Sequence, residues 1–132
     1  MKLHHVLLLI PALALASCGG SEKPSPAENG ETPETPEIDL AVGAEYYAIT
    51  CTPCHGATGM GDGVASEALV PKPRDLTNKE WQASVDDEYL RKIIQYGGAA
   101  VGKQPTMPPN PVLGSQPEVL ASLIAHVRQM AK

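Results

Sequence analysis

Five consecutive residues constrain this chain more than any other feature. Cys51-Thr52-Pro53-Cys54-His55 sets two thiols three positions apart and an imidazole directly after the second. On a helical turn the two thiols reach the same side, with the histidine following beneath them. The pattern predicts covalent attachment of one c-type haem. In that arrangement Cys51 and Cys54 meet the two vinyl groups of a porphyrin and His55 lies under the iron as its proximal ligand. Other readings of C-x-x-C fit less well. A thioredoxin-like redox pair needs strands alternating with helices around it, and no β-α-β pattern surrounds the motif. A zinc site needs a second ligand pair, and His126 is the one further histidine of the folded part. A plain disulfide between Cys51 and Cys54 is the third alternative.

A bound macrocycle also answers a question of bulk. The chain of 132 residues has no Phe, a single Trp (Trp81) and four Tyr. Aromatic side chains normally fill much of a core, so something else must occupy that volume. Charge excludes another class. Residues 19–39 carry six acids against Lys23, and residues 40–132 carry nine acids and eight bases. No basic stripe of the kind nucleic-acid binding requires is present.

The N-terminal end predicts export. Lys2 precedes eleven apolar residues from Val6 to Ala16, well short of the roughly 20 that span a bilayer as a helix. Residues 1–17 therefore read as a secretory signal peptide. Leu15-Ala16-Ser17-Cys18 resembles the lipobox of bacterial lipoproteins, which implies cleavage before Cys18 and lipid on its thiol. The competing reading is cleavage after Ala14-Leu15-Ala16, with Cys18 left as a free thiol. With Cys51 and Cys54 on haem and Cys18 on lipid, none of the three cysteines is left over. Residues 19–37 hold four prolines, three glycines and no large apolar side chain, too little to bury for folding. Residues 18–39 are thus expected to be a flexible Pro/Glu-rich tether reaching at most roughly 60 Å, at ~3.1 Å per residue. The expected location is the membrane, facing the periplasm or the cell exterior.

Residues 40–132 read as helices and loops. Asp39 is placed to cap a helix running through Leu40, Ala44, Tyr47 and Ala48 towards Cys51. Ser84 or Asp86 opens a second, with Tyr89, Leu90, Ile93 and Ile94 on one face and Gly97-Gly98 as its stop. Ser115-Gln116-Pro117-Glu118 reads as a capping box with Pro in the first turn. Leu120, Leu123, Ile124, Val127 and Ala131 then follow helical periodicity. Gly- and Pro-rich loops remain at 56–63, 71–75 and 97–114, long for a domain this small, and wrapping a cofactor would explain them.

A second iron ligand is sought among few candidates. Met107 stands 52 residues after His55 in Gln104-Pro105-Thr106-Met107-Pro108-Pro109, where prolines stiffen the backbone. A thioether held in such a loop is a poor core filler and a good ligand. Met60 follows His55 by only five residues, at most about 18 Å of chain. Met130 and His126 fall on the last helix, the first as packing and the second as a partly buried or surface residue. Met1 leaves with the signal.

Taken together, several stretches resemble class I mono-haem c-type cytochromes. They are Tyr47 to Gly56, Gly59-Met60-Gly61-Asp62-Gly63, Pro73-Arg74-Asp75-Leu76-Thr77, Ile93 to Gly97, Thr106-Met107-Pro108 and Leu123 to Arg128. The resemblance covers nearly all of residues 40–132. It implies a small all-α cytochrome c fold of three to five helices around one covalently bound haem, with the first and last helices crossing near the haem crevice. It implies His55 and Met107 as axial ligands. Arg74 and Trp81 are expected to contact a haem propionate, through the guanidinium fork and the indole N–H, while Lys72, Lys79 and Lys103 are expected to be solvated. His126 departs from the family, which often has an aromatic residue there. The expected function is electron transfer between redox partner proteins, without catalysis, by a membrane-tethered carrier. Two alternatives stand beside it: a haem peroxidase or gas sensor with an open distal position, and a fixed cytochrome subunit of a larger redox complex.

Overall fold

A computed structural model describes residues 37–131. The expectations for the signal peptide, for Cys18 and for the tether as far as residue 36 lie outside the described residues.

Among the described residues, five α-helices, one π turn and three short 3₁₀ turns account for the regular structure, and no strand occurs. The fold is all-α, as the sequence predicts. Helix α1 (Leu40–Tyr46) starts where the Asp39 carboxylate accepts the Ala41 N–H at 2.9 Å, satisfying one of the donors that a helix start leaves open. It widens into a π turn over Tyr47–Cys51, with the Thr52 N–H reaching back to the Tyr47 carbonyl, and resumes as α2 (Thr52–His55). Single π turns inside helices recur at functional sites.

α2 ends at Gly56, whose φ of 77° suits a residue without Cβ. The chain then folds back under the helix it has just left. Gly61 N–H donates to the His55 carbonyl at 2.8 Å and Gly63 N–H to that of Cys54 at 3.2 Å, while the buried Tyr47 hydroxyl donates to the Gly56 carbonyl at 2.9 Å. The carbonyls at the end of α2 are thereby paired.

The core forms where α1 crosses α5 (Pro117–Gln129). Gly43 is buried at the crossing, and a methyl there would lie 2.3 Å from the Ser122 backbone. Ser122 Oγ accepts the Gly43 N–H at 2.7 Å and donates to the Asp39 carbonyl. Around this contact Tyr47, Leu90, Leu113, Leu120, Leu123, Ile124 and Val127 are buried. His126 is half-buried, with its ring 5.2 Å from that of Tyr47, so helix packing uses the position much as an aromatic would.

Two sequence expectations need correction. The capping box at Ser115 does not form. Pro111–Ser115 winds into a 3₁₀ turn, and the Ser115 hydroxyl donates backwards to the Val112 carbonyl at 2.9 Å. α5 starts instead at Pro117, with no side-chain cap on Gln116; proline has no N–H to satisfy at that end. A further helix, α3 (Lys79–Ser84), lies in a stretch the periodicity leaves unassigned, capped by Asn78 Oδ1 on the Trp81 N–H at 2.7 Å. α4 (Asp87–Tyr96) opens at Asp86, which accepts the Tyr89 N–H at 2.7 Å, and stops at Gly97, φ 79°. Of the two caps suggested for α4, Asp86 is therefore the one used.

Candidate functional site

The α1–α2 segment, the α3–α4 corner, the 97–110 loop and α5 enclose a cavity of about 510 Å³. Cys51, Cys54 and His55 line it from the α2 side, and Met107 lines it from the loop after α4. Arg74 and Trp81 line it as well, so six separate sequence predictions converge on one space. The rivals do not join them. Met60 is exposed, and Met130 is buried against Gly59. His126 packs on Tyr47 and is not among the lining residues.

Each side chain is held by a local cause. His55 Nδ1 lies 3.3 Å from the Arg74 carbonyl. As donor in that bond, Nδ1 carries the ring proton and leaves the Nε2 lone pair for a metal. Burial lowers the pKa of His55, and the Arg74 carbonyl opposes that only in part, so the ring is neutral, as ligation requires. Cys51 and Cys54 are not bonded to each other. Burial, reinforced by the neighbouring Cys54, pushes the Cys51 thiol up to about 11, which keeps it protonated near neutral pH. The Arg74 guanidinium sits 5.6 Å from the centre of the Trp81 ring, a cation–π contact, and forms no ion pair among the described residues.

The loop carrying Met107 is fastened to the end of α4. Gly98 N–H donates to the Met107 carbonyl at 3.0 Å. A Cβ at Gly97 would stand 2.7 Å from that same carbonyl oxygen, so glycine there serves the loop as much as the helix stop. Asn110 is the second fastening, and sequence reasoning passed over it. Its backbone N–H and its Nδ2 both reach the Ile94 carbonyl, at 3.2 and 3.1 Å, and its Oδ1 accepts from the Tyr46 hydroxyl at 3.4 Å. The signal was an Asn directly behind Pro108-Pro109, a polar side chain able to satisfy backbone groups where prolines cannot donate.

The residues fit a haem. Two thiols, an imidazole and a thioether line a single, largely apolar cavity, within the ~300–1,000 Å³ typical of cofactor sites. Helical fold and cavity together define a mono-haem c-type cytochrome, whose cofactor is one covalently bound haem c with its iron. Residues 39–127 match the family described as cytochrome c oxidase, cbb3-type, subunit III, and the chain belongs to that family. No curated protein matches the chain significantly. The cytochrome c domain carries haem-based electron transfer and exchanges electrons with redox partner proteins; Cys51 and Cys54 fit its attachment site.

Proposed function

We propose that the chain is a membrane-tethered electron carrier in which Cys51 and Cys54 hold the haem and His55 and Met107 are its axial ligands. The observation that carries this reading is the convergence of these four side chains on one cavity. When bound, the haem supplies a one-electron couple. The chain's own residues do the rest. His55 presents Nε2 while Nδ1 is engaged by the Arg74 carbonyl, and Met107 offers a soft thioether from a loop fastened at both sides. Met/His ligation raises a haem potential relative to stronger donors and leaves no position for a substrate, which favours outer-sphere transfer over catalysis. Arg74 and Trp81, which line the same cavity, would contact a propionate. Residues 1–17 direct export, lipid on Cys18 anchors the chain, and residues 18–39 let the domain move between donor and acceptor at the outer side of the membrane.

The test is the optical spectrum of the reduced, haem-loaded protein with and without carbon monoxide. A low-spin c-type spectrum indifferent to the gas is expected in the natural chain, and Met107→Ala should convert it to one that shifts. A shift in the natural chain would mean an open iron position and a peroxidase or sensor. A fixed place in a larger oxidase complex is a second reading, favoured by the description of the matching family. Co-purification of the chain with membrane oxidase subunits in fixed ratio would select it over a free shuttle.

A further inference from the structure

α3 is only six residues long, too short to hold itself as a helix in water. Yet Trp81 on it, with Leu76 before it and Val85 after it, forms part of the cavity wall. What fastens this corner is a knot of polar bonds. Gln82, on α3 and only 6% exposed, donates both amide hydrogens, to the Leu76 and Val127 carbonyls at 2.9 Å each. Its Oε1 accepts from Arg128 Nη1 at 2.8 Å. Arg128 reaches in from the last turn of α5. The same Nη1 also donates to the Gln82 carbonyl at 2.7 Å, Nη2 donates to the Val85 carbonyl at 2.8 Å, and Nε donates to Asp87 Oδ1 at 2.8 Å. Three of the four Arg128 bonds therefore end on Gln82 and Val85, and the fourth on an exposed carboxylate at the start of α4.

A planar fork of donors can close such a knot, whereas a lysine ammonium cannot reach all of these acceptors at once. We infer that Arg128 is a positioning residue for the haem environment. Through Gln82 and Val85 it fixes the wall that carries Trp81, and so sets how far water reaches the cofactor. Solvent access to a haem stabilises its oxidised, more charged form and lowers its potential. The inference rests on the haem c cofactor and touches neither the covalent attachment nor the axial ligands.

Trp81 is the chain's only tryptophan, and a haem quenches its emission by energy transfer across the whole of so small a domain, so emission appears only where the domain unfolds. The experiment compares the haem-loaded full chain with Arg128→Lys, Arg128→Ala and Asp87→Asn. The expected result is a downward shift of potential in both Arg128 variants with Trp81 emission still quenched, and no change in Asp87→Asn because an exposed ion pair contributes little. Arg128→Lys decides the matter, since it keeps the charge and loses the fork. A natural potential in Arg128→Lys would overturn the inference and leave charge alone as the role of Arg128. Failure of Arg128→Lys to fold would overturn it too, making the contact global instead of local. Covalent haem and an unchanged response to carbon monoxide in the variants keep the carrier reading separate from this one.

Discussion

The two sides of the cavity are built by different physics. On one side α1 and α5 cross with a glycine at the contact and Leu120 and Leu123 almost wholly buried beside it. On the other, the α3–α4 corner and the 97–110 loop add to the apolar contacts of Leu90 and Ile94 a set of hydrogen bonds from Gln82, Arg128 and Asn110. The apolar crossing supplies stability that scales with buried area. The polar side supplies position: each bond contributes modestly, but its geometry allows one arrangement. Substitutions in the crossing should therefore lower global stability, and substitutions on the polar side should loosen the site while the fold persists.

The sharpest way to break this contrast is Leu123→Ala. The side chain is 1% exposed, and its truncation should cost about 2–5 kcal/mol, measured by denaturant unfolding of the haem-loaded protein. Gly43→Ala comes next. Its new methyl would meet the Ser122 backbone at 2.3 Å, and forcing the helices apart should cost about 1–3 kcal/mol, read as a lower Tm. On the polar side, Asn110→Ala should cost about 1 kcal/mol globally. Its main effect should be local, with faster amide exchange at Gly98 and residue 110 while α1 and α5 amides keep their protection. Equal loss of protection everywhere would erase the distinction between the two sides.

The smallest effect is expected at Asp75. Its carboxylate accepts the Thr77 hydroxyl at 2.7 Å and the Thr77 N–H at 2.8 Å, and these bonds hold its pKa below the ordinary value. A carboxylate with a depressed folded pKa contributes stability above its unfolded pKa of about 3.9 and loses it as pH falls towards the folded value. Asp75→Asn should lose this small contribution at neutral pH and flatten the acid limb, so that the two proteins converge in stability at low pH. An unaltered limb in an acid titration would contradict it.

How much of this was legible in the sequence follows the same division. The apolar side was readable because periodicity is a local signal: Leu120, Leu123, Ile124 and Val127 lie on one helical stripe and are buried. The caps at Asp39 and Asp86 were readable for the same reason. The lining residues came from motif chemistry, and Cys51, Cys54, His55 and Met107 share one cavity. The failures lie where a side chain chooses between partners. Ser115 had a helix start within reach and bonded instead to Val112 in the preceding turn. α3 is too short to show a period, although Asn78 three residues before Trp81 was a usable cap signal. Asn110 and Arg128 act on carbonyls 16 and more than 40 residues away, and spacing along the chain says nothing of such bonds.

The bond between Ser122 and Asp39 joins residues 83 positions apart, and it has a consequence for the order of events in a growing chain. α1 has only seven residues, and the helix it crosses, α5, is synthesised well after it. Until α5 is complete, α1 lacks the helix it crosses, and the 56–63 loop alone is at hand to pair the end of α2. Cys51, Cys54 and His55 are therefore reachable throughout that interval, before packing encloses them. Connectivity thus separates two events in time: the attachment residues emerge early, and the helix that packs over their segment emerges late.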